Sequence, residues 1–298
     1  MMTAADFLNL LIAALMLAGI YGAMSVGMTV IYGVMKIVNL AHAGFMMMGA
    51  YFAYELFQRF NIDPLFGAFL ALPVFFLFGM AIHWLLVRRL PKSDQPTLSS
   101  LLLMFGFWLV LQNVAYLTWG NTDMSILTPH TLSVINLGPI TISTLRLVVF
   151  AAAVVSMAIL QLILNRSWFG KSVRALIQNP YAAQITGVDD QKISRMAFGL
   201  GTAFAGFAGA LLSMLYSFNP DFGRPFLVRS FVIIVLGGLE SVPGVAFGAL
   251  VLAVVETFSI LAVPAGYQPA ISFALLVVVL LLFPRGLAGL MQKKWRAA

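Results

Sequence analysis

The sequence predicts an all-α integral membrane protein, a polytopic bundle of eight to nine transmembrane helices, and three observations carry that reading. Of its 298 residues, 61% are hydrophobic and only 9% are charged, a composition far from that of soluble domains. The apolar residues come in blocks of roughly 20, the length an α-helix needs to cross a ~30 Å hydrocarbon core. The basic residues gather at alternate block ends, so successive blocks cross in opposite directions.

In chain order the expected spans cover residues 7–32, 37–57, 64–87, 97–117, 144–164, 196–216, 226–239, 243–262 and 268–284. The first block is too long for a signal-peptide core and has no basic leader, so it reads as a span. The Gly-Val-Met-Lys link that follows, Gly33 to Lys36, reads as a tight turn. Span seven is short enough to be re-entrant. Lys36, Arg88, Arg89, Lys92, Arg166, Lys171, Arg174, Lys192, Arg195, Arg285, Lys293, Lys294 and Arg296 fall on one side, and only Arg59, Arg146, Arg224 and Arg229 on the other. That asymmetry places the first side in the cytoplasm and the N-terminus outside. The formal charge of +7 then reports orientation, not affinity for nucleic acid. The absence of cysteine excludes disulfides, thiolate metal sites and cysteine nucleophiles. Residues 1–298 read as a single transmembrane domain.

Two connections are long. The external one, about 118–143, has no Lys or Arg and carries Pro129 and Pro139, so an ordered loop is expected. The cytoplasmic one, about 165–195, has helical punctuation: Asn179 as N-cap, Pro180 at the first helical position, Ala182 and Ala183 within, and Gly187 as a left-handed stop. Asp189 or Asp190 then caps the next helix. Gly170-Lys171-Ser172 imitates the end of a phosphate-binding loop, but Asn165 replaces its first glycine and a span, not a strand, precedes it. Nucleotide binding is therefore not expected. A short helix displayed between two spans is a docking element for another protein, or else a connector lying on lipid headgroups.

Polar residues inside lipid are functional candidates, or else interhelical ties. In VNLAHAGFMMMGAY, Val38 to Tyr51, Asn39 and His42 share a helix face beside Gly44 and Met46 to Met48, and a broken second span is expected there. His42 is expected to be neutral, donating and accepting hydrogen bonds. Gln112, Asn113, Gln161 and Glu256 complete the intramembrane polar set. Glu256 either faces the translocation path or pairs with Arg229 or a hydroxyl such as that of Ser230. The glycines and alanines of spans one and six read as close-packing faces. Three scattered histidines, His42, His83 and His130, supply neither a metal set nor a catalytic base with its nucleophile, so neither a catalytic residue nor a metal ligand is assigned. The buried titratable groups are too few for a proton relay, and an ion-coupled secondary carrier stays a remote alternative. Gly33–Leu56 and Gly237–Phe258 echo each other faintly, as an internal repeat would.

Several ordered stretches resemble the branched-chain amino acid type of ABC transporter permease, and its H-type subunit above all. They are Ile20 to Tyr51, Trp119-Gly120, RALIQNPYAAQITGVDDQKISRMAFGLGTAFAGFAGALL from Arg174 to Leu212, GGLESVPGVAFGALVLAVVE from Gly237 to Glu256, and FPRGLAG from Phe283 to Gly289. The resemblance implies a permease of the bacterial inner membrane paired with a second, homologous one. It also implies two cytoplasmic ATPase subunits carrying ATP and Mg, a periplasmic binding protein, and no cofactor on this chain. Branched-chain or related hydrophobic amino acids are the implied substrates; urea, short-chain amides and aromatic acids are the alternatives within the same family. Asn179 to Gly187 then corresponds to the ATPase docking loop, with Tyr181 where the family usually has Glu. Gly44 follows His42 one place later than in the usual Asn-x-Ala-His-Gly, and Glu240 interrupts the usual Gly-Gly-x-Gly-Ser. Asn39, His42, Gly44, Met46 and Glu256 are the implied path residues.

Overall fold

The computed structural model describes residues 3–90, 96–128 and 133–282. The FPRGLAG ending, the end of span nine, His130, Pro129, Lys92 and the basic residues from Arg285 onward lie outside the described residues. Eleven α-helices follow in order: α1 (Ala4–Met35), α2 (His42–Phe60), α3 (Pro64–Leu85), α4 (Pro96–Trp119), α5 (Thr144–Arg166), α6 (Trp168–Gln178), α7 (Pro180–Ile185), α8 (Asp190–Ser213), α9 (Gly223–Gly237), α10 (Val242–Ser259) and α11 (Gln268–Leu282). Among the described residues six helices are long and apolar enough to cross a membrane: α1, α3 with the turn after it, α4, α5, α8 and α10. The other expected spans fall short for identifiable reasons. α2 carries Glu55, Gln58 and Arg59 in its last turns, and α9 has 15 residues, or ~22 Å at ~1.5 Å each. Leu77, Leu117 and Leu281 are among the large apolar side chains left on the outer surface, as a lipid-facing bundle requires.

α8 is the axial helix. Its small residues let α1, α2 and α3 approach to backbone contact: a Cβ on Gly49 of α2 would lie 2.7 Å from Gly206 Cα, and one on Gly209 would lie 2.7 Å from Met46 Cα. Close packing of this kind is how helices associate where no hydrophobic force acts between them.

Three sequence expectations change. Gly33, Val34 and Met35 stay helical, and the turn after α1 sits at Lys36, whose φ of 55° is left-handed. The break expected within span two falls ahead of the helix: residues 36–41 are non-helical, and α2 runs uninterrupted from His42. The external loop holds a β-hairpin, Val134–Leu137 against Ile140–Ser143, so the chain is not purely α. Gly138, at φ +64°, makes its turn with Pro139.

Side chains join the elements at each end of the bundle. Asn9 donates to Pro139 O at 3.4 Å and accepts from Thr141 N at 3.1 Å, so the start of α1 and the hairpin share one end. At the other end Lys36 pairs with Glu240, which accounts for the carboxylate in the late glycine-rich stretch. The loop of residues 165–195 folds as its punctuation requires: Asn179 Oδ1 accepts from Ala182 N at 3.0 Å, Gly187 has φ +89°, and Asp189 caps α8. Gly170-Lys171-Ser172 lies inside α6, where Ser167 caps the Gly170 N–H, so no phosphate cradle exists there.

Candidate functional site

α1 positions the site. His42, the first residue of α2, places Nε2 2.7 Å from the carbonyl oxygen of Met24. A carbonyl only accepts, so Nε2 carries the proton and donates, and Nδ1 is left with nothing to bond. Met24 lies ~16 Å along α1 from Met35 at ~1.5 Å per residue. Lys36 to Ala41, together with the reach of the His42 side chain, cover that return, with Lys36 left-handed and Leu40 and Ala41 in a turn. The chain therefore turns back at Lys36 and brings His42 against α1 at Met24, well inside that helix. Among the described residues, the N–H groups of Ile37 to Ala41 donate to no backbone carbonyl.

Asn39, in the middle of this link, is fully buried, and neither its Oδ1 nor its Nδ2 has a hydrogen-bond partner. With His42 Nδ1, three buried polar atoms three residues apart are unsatisfied. Each costs roughly 1–3 kcal/mol in a dry interior. Such groups persist where water, a ligand or a partner chain completes them.

Tyr21, one turn from Met24 on α1, donates its hydroxyl to Glu256 on α10. Glu256 is 2% exposed and also accepts from Ser272 of α11 and from Arg229 Nε of α9, at 3.0 and 3.2 Å to its two oxygens. Of the two pairings open in the sequence, the structure forms the one with Arg229, while Ser230 Oγ stays buried without a partner. A cavity of about 450 Å³ opens beside this cluster, lined by Arg146, Arg229, Glu256 and Gln268 on its polar side.

The structure sets two of the five candidate path residues, His42 and Glu256, against α1 one turn apart, at Met24 and Tyr21, with buried Asn39 three residues before His42. It places the other two elsewhere. A Cβ on Gly44 would be 2.8 Å from Leu111 Cδ1 and 3.2 Å from the Trp108 ring, so this glycine admits α4. Met46 is fully buried, with its backbone against Gly209 of α8. In the loop of residues 165–195 Tyr181 and Ile185 are 75% and 71% exposed, Ala182 is exposed and Ala183 is 3% exposed. Ala183 therefore packs on its own chain, and the displayed face is that of Tyr181 and Ile185. Gln112 donates to Asp221 at 2.7 Å and Tyr116 does so at 2.8 Å, an outer cluster in which Asp221 also pairs with Arg224. Asn113 bonds its own helix.

Sequence reading missed Tyr21 and Asp221. A tyrosine in an apolar run carries no mark of its partner, and Asp221 sits in a connection with no pattern of its own.

Six helices long and apolar enough to cross a membrane, with large apolar side chains on their outer surface, mark a multi-pass membrane protein. The chain belongs to the branched-chain amino acid transport permease family: the family described as "Branched-chain amino acid transport system / permease component" matches residues 10–280. It is 27% identical over 297 residues to the high-affinity branched-chain amino acid transport system permease protein LivH of Salmonella typhimurium strain LT2, covering 95% of this chain and 96% of that one. To BraD of Pseudomonas aeruginosa, of the same description, it is 28% identical over 296 residues, again 95% and 96% of the two chains. LivM of Escherichia coli K12 is 27% identical over 260 residues, covering 79% of this chain and 60% of that one. No solved structure matches the chain.

Proposed function

We infer that this chain is one of two related permease subunits of an ATP-driven importer for branched-chain or related hydrophobic amino acids, set in the bacterial inner membrane. Kinship to LivH and LivM, two permeases both found in Escherichia coli K12, supports the pairing. Two cytoplasmic ATPase subunits would bind ATP and Mg, and a periplasmic binding protein would deliver substrate. No cofactor is assigned to this chain. The observation that carries the reading is the non-helical link at Lys36–Ala41, with Asn39 and Ala41 buried within it. Irregular backbone at membrane depth is tolerated where protein covers it or where it lines a path. Counted with that link, α2 becomes a span with a broken lead-in, and with α9 and α11 the bundle has nine crossings.

His42→Ala is expected to insert and to assemble with its ATPases, yet to lose at least about tenfold in transport, the equivalent of roughly 1.4 kcal/mol. His42→Gln, which keeps a donor and an acceptor, recovers part of that rate. Uptake into proteoliposomes, compared with ATPase co-purification, checks this. Full uptake by His42→Ala would remove the residue from the path, and loss of the protein from the membrane would make it a structural tie.

α7 is proposed as the docking element, with Tyr181, Ala182 and Ile185 outward, Ala183 seating it, and Asn179, Pro180 and Gly187 fixing its ends. Ile185→Glu, which puts a charge on the displayed apolar face, is expected to reduce ATPase co-purification several-fold without changing permease levels. Undiminished assembly would return α7 to the role of a connector.

A further inference from the structure

The cavity beside Glu256 has a mixed lining: apolar side chains, among them Leu17, Ile20, Leu215 and Phe226, and the polar groups Arg146, Arg229, Glu256 and Gln268. Its volume, about 450 Å³, falls within the ~300–1,000 Å³ of small-molecule sites. Charge balance decides what fits. Both oxygens of Glu256 receive Arg229 Nε, and each accepts one hydroxyl besides, from Ser272 or Tyr21. Its lone pairs are therefore taken, and it offers nothing to a ligand ammonium. Arg146, at the start of α5, has no ion-pair partner among the described residues. The cavity accordingly carries, at its exposed residue Arg146, one uncompensated guanidinium in a lining rich in apolar side chains.

We propose that this outer cavity is a vestibule that reads the carboxylate of its substrate: Arg146 takes the carboxylate, and the aliphatic part lies along Leu17, Ile20 and Phe226. Planar guanidinium groups bind carboxylates through paired, charge-assisted hydrogen bonds, whereas urea and uncharged amides bring no charge to match. Among the substrate classes of this kind of importer, the cavity selects acids with an apolar tail. Two of its lining residues, Ile20 and Tyr21, lie about one turn along α1 from Met24, the residue that holds His42, so the vestibule adjoins the proposed path. The ligand's identity as transported substrate rests on the transport reading above; its chemistry rests on the cavity alone.

The chain has no native cysteine, so one placed at Leu17, in the cavity wall, reports occupancy directly. With the full-length Leu17→Cys chain in lipid nanodiscs, L-leucine and 4-methylpentanoate, its analogue without the ammonium, are expected to slow N-ethylmaleimide labelling several-fold. Leucinamide and urea should leave the rate unchanged. Adding Arg146→Gln should abolish the protection while keeping the unprotected rate, and Arg146→Lys should retain part of it. Equal protection by leucinamide, no protection by either carboxylate, or protection that survives Arg146→Gln would overturn the proposal. So would a cysteine that reacts only after delipidation, which would assign the cavity to a lipid. Occupancy is read without uptake, so a chain that protects as expected yet supports no amino acid import would sink the transport reading and leave the vestibule standing.

Discussion

Arg229→Ala is expected to remove most of the folded permease from the membrane. The guanidinium is the cation that balances Glu256, which is 2% exposed and wedged between α1, α9, α10 and α11. Deleting it leaves a charged carboxylate in a low-dielectric interior, a change that costs about 3–5 kcal/mol in buried pairs. Total stabilities are only about 5–15 kcal/mol, so the loss is a large fraction of what holds the bundle. Glu256→Gln should cost less. The amide still bonds Tyr21 and Ser272, and Arg229, bordering the cavity, keeps access to water. Replacing both partners, Arg229→Met with Glu256→Leu, should restore much of the stability, because no unpaired charge remains. Thermal unfolding in detergent, followed by size-exclusion chromatography, ranks the four proteins. Arg229→Ala as stable as the parent would show that the pair holds nothing together.

Gly209→Val is expected to have a comparable effect through packing alone. A side chain there meets the Met46 backbone, with Met46 Cα only 2.7 Å from the new Cβ, and backbone cannot rotate aside. Either α2 and α8 separate or the helices distort, and overpacking of this kind costs about 1–3 kcal/mol or more. Gly106→Ala in α4 is the matched control. Nothing lies within 4 Å of a Cβ at that position, so only the helix preference for Ala operates, a gain of about 0.5–1 kcal/mol. Melting temperatures that move together for the two variants would contradict the packing account.

Much of the architecture was legible because membrane insertion leaves coarse marks. Apolar run length gave α1, α3, α4, α5, α8 and α10, and the chemistry of Asn179, Pro180 and Gly187 gave α7 with its caps. What stayed illegible depends on pairing across the chain. Lys36 and Glu240 are both exposed charges in sequence, and only the fold brings them together. His42 bonds a backbone carbonyl of Met24, a partner that has no signature in the sequence. Arg146 is one external charge among several in sequence, and only the fold puts it in a cavity lined largely by apolar side chains. Ala183 counts among the docking-loop residues in sequence yet is buried in the fold, because a helix of six residues is too short for periodicity to choose a face. The hairpin strands, four residues each, were likewise too short to stand out from a loop.

The central claim, that the unwound link at Lys36–Ala41 lies on the translocation path, is tested most directly by a single cysteine at Asn39 in the assembled importer. Asn39 is fully buried in the state described. A small thiol reagent should therefore react slowly at rest, react faster when ATP and loaded binding protein drive turnover, and block uptake once attached. A cysteine at Asn39 that stays unreactive throughout turnover, while one at Ser133 in the external loop is readily labelled, would contradict the account and make the link a buried structural connection.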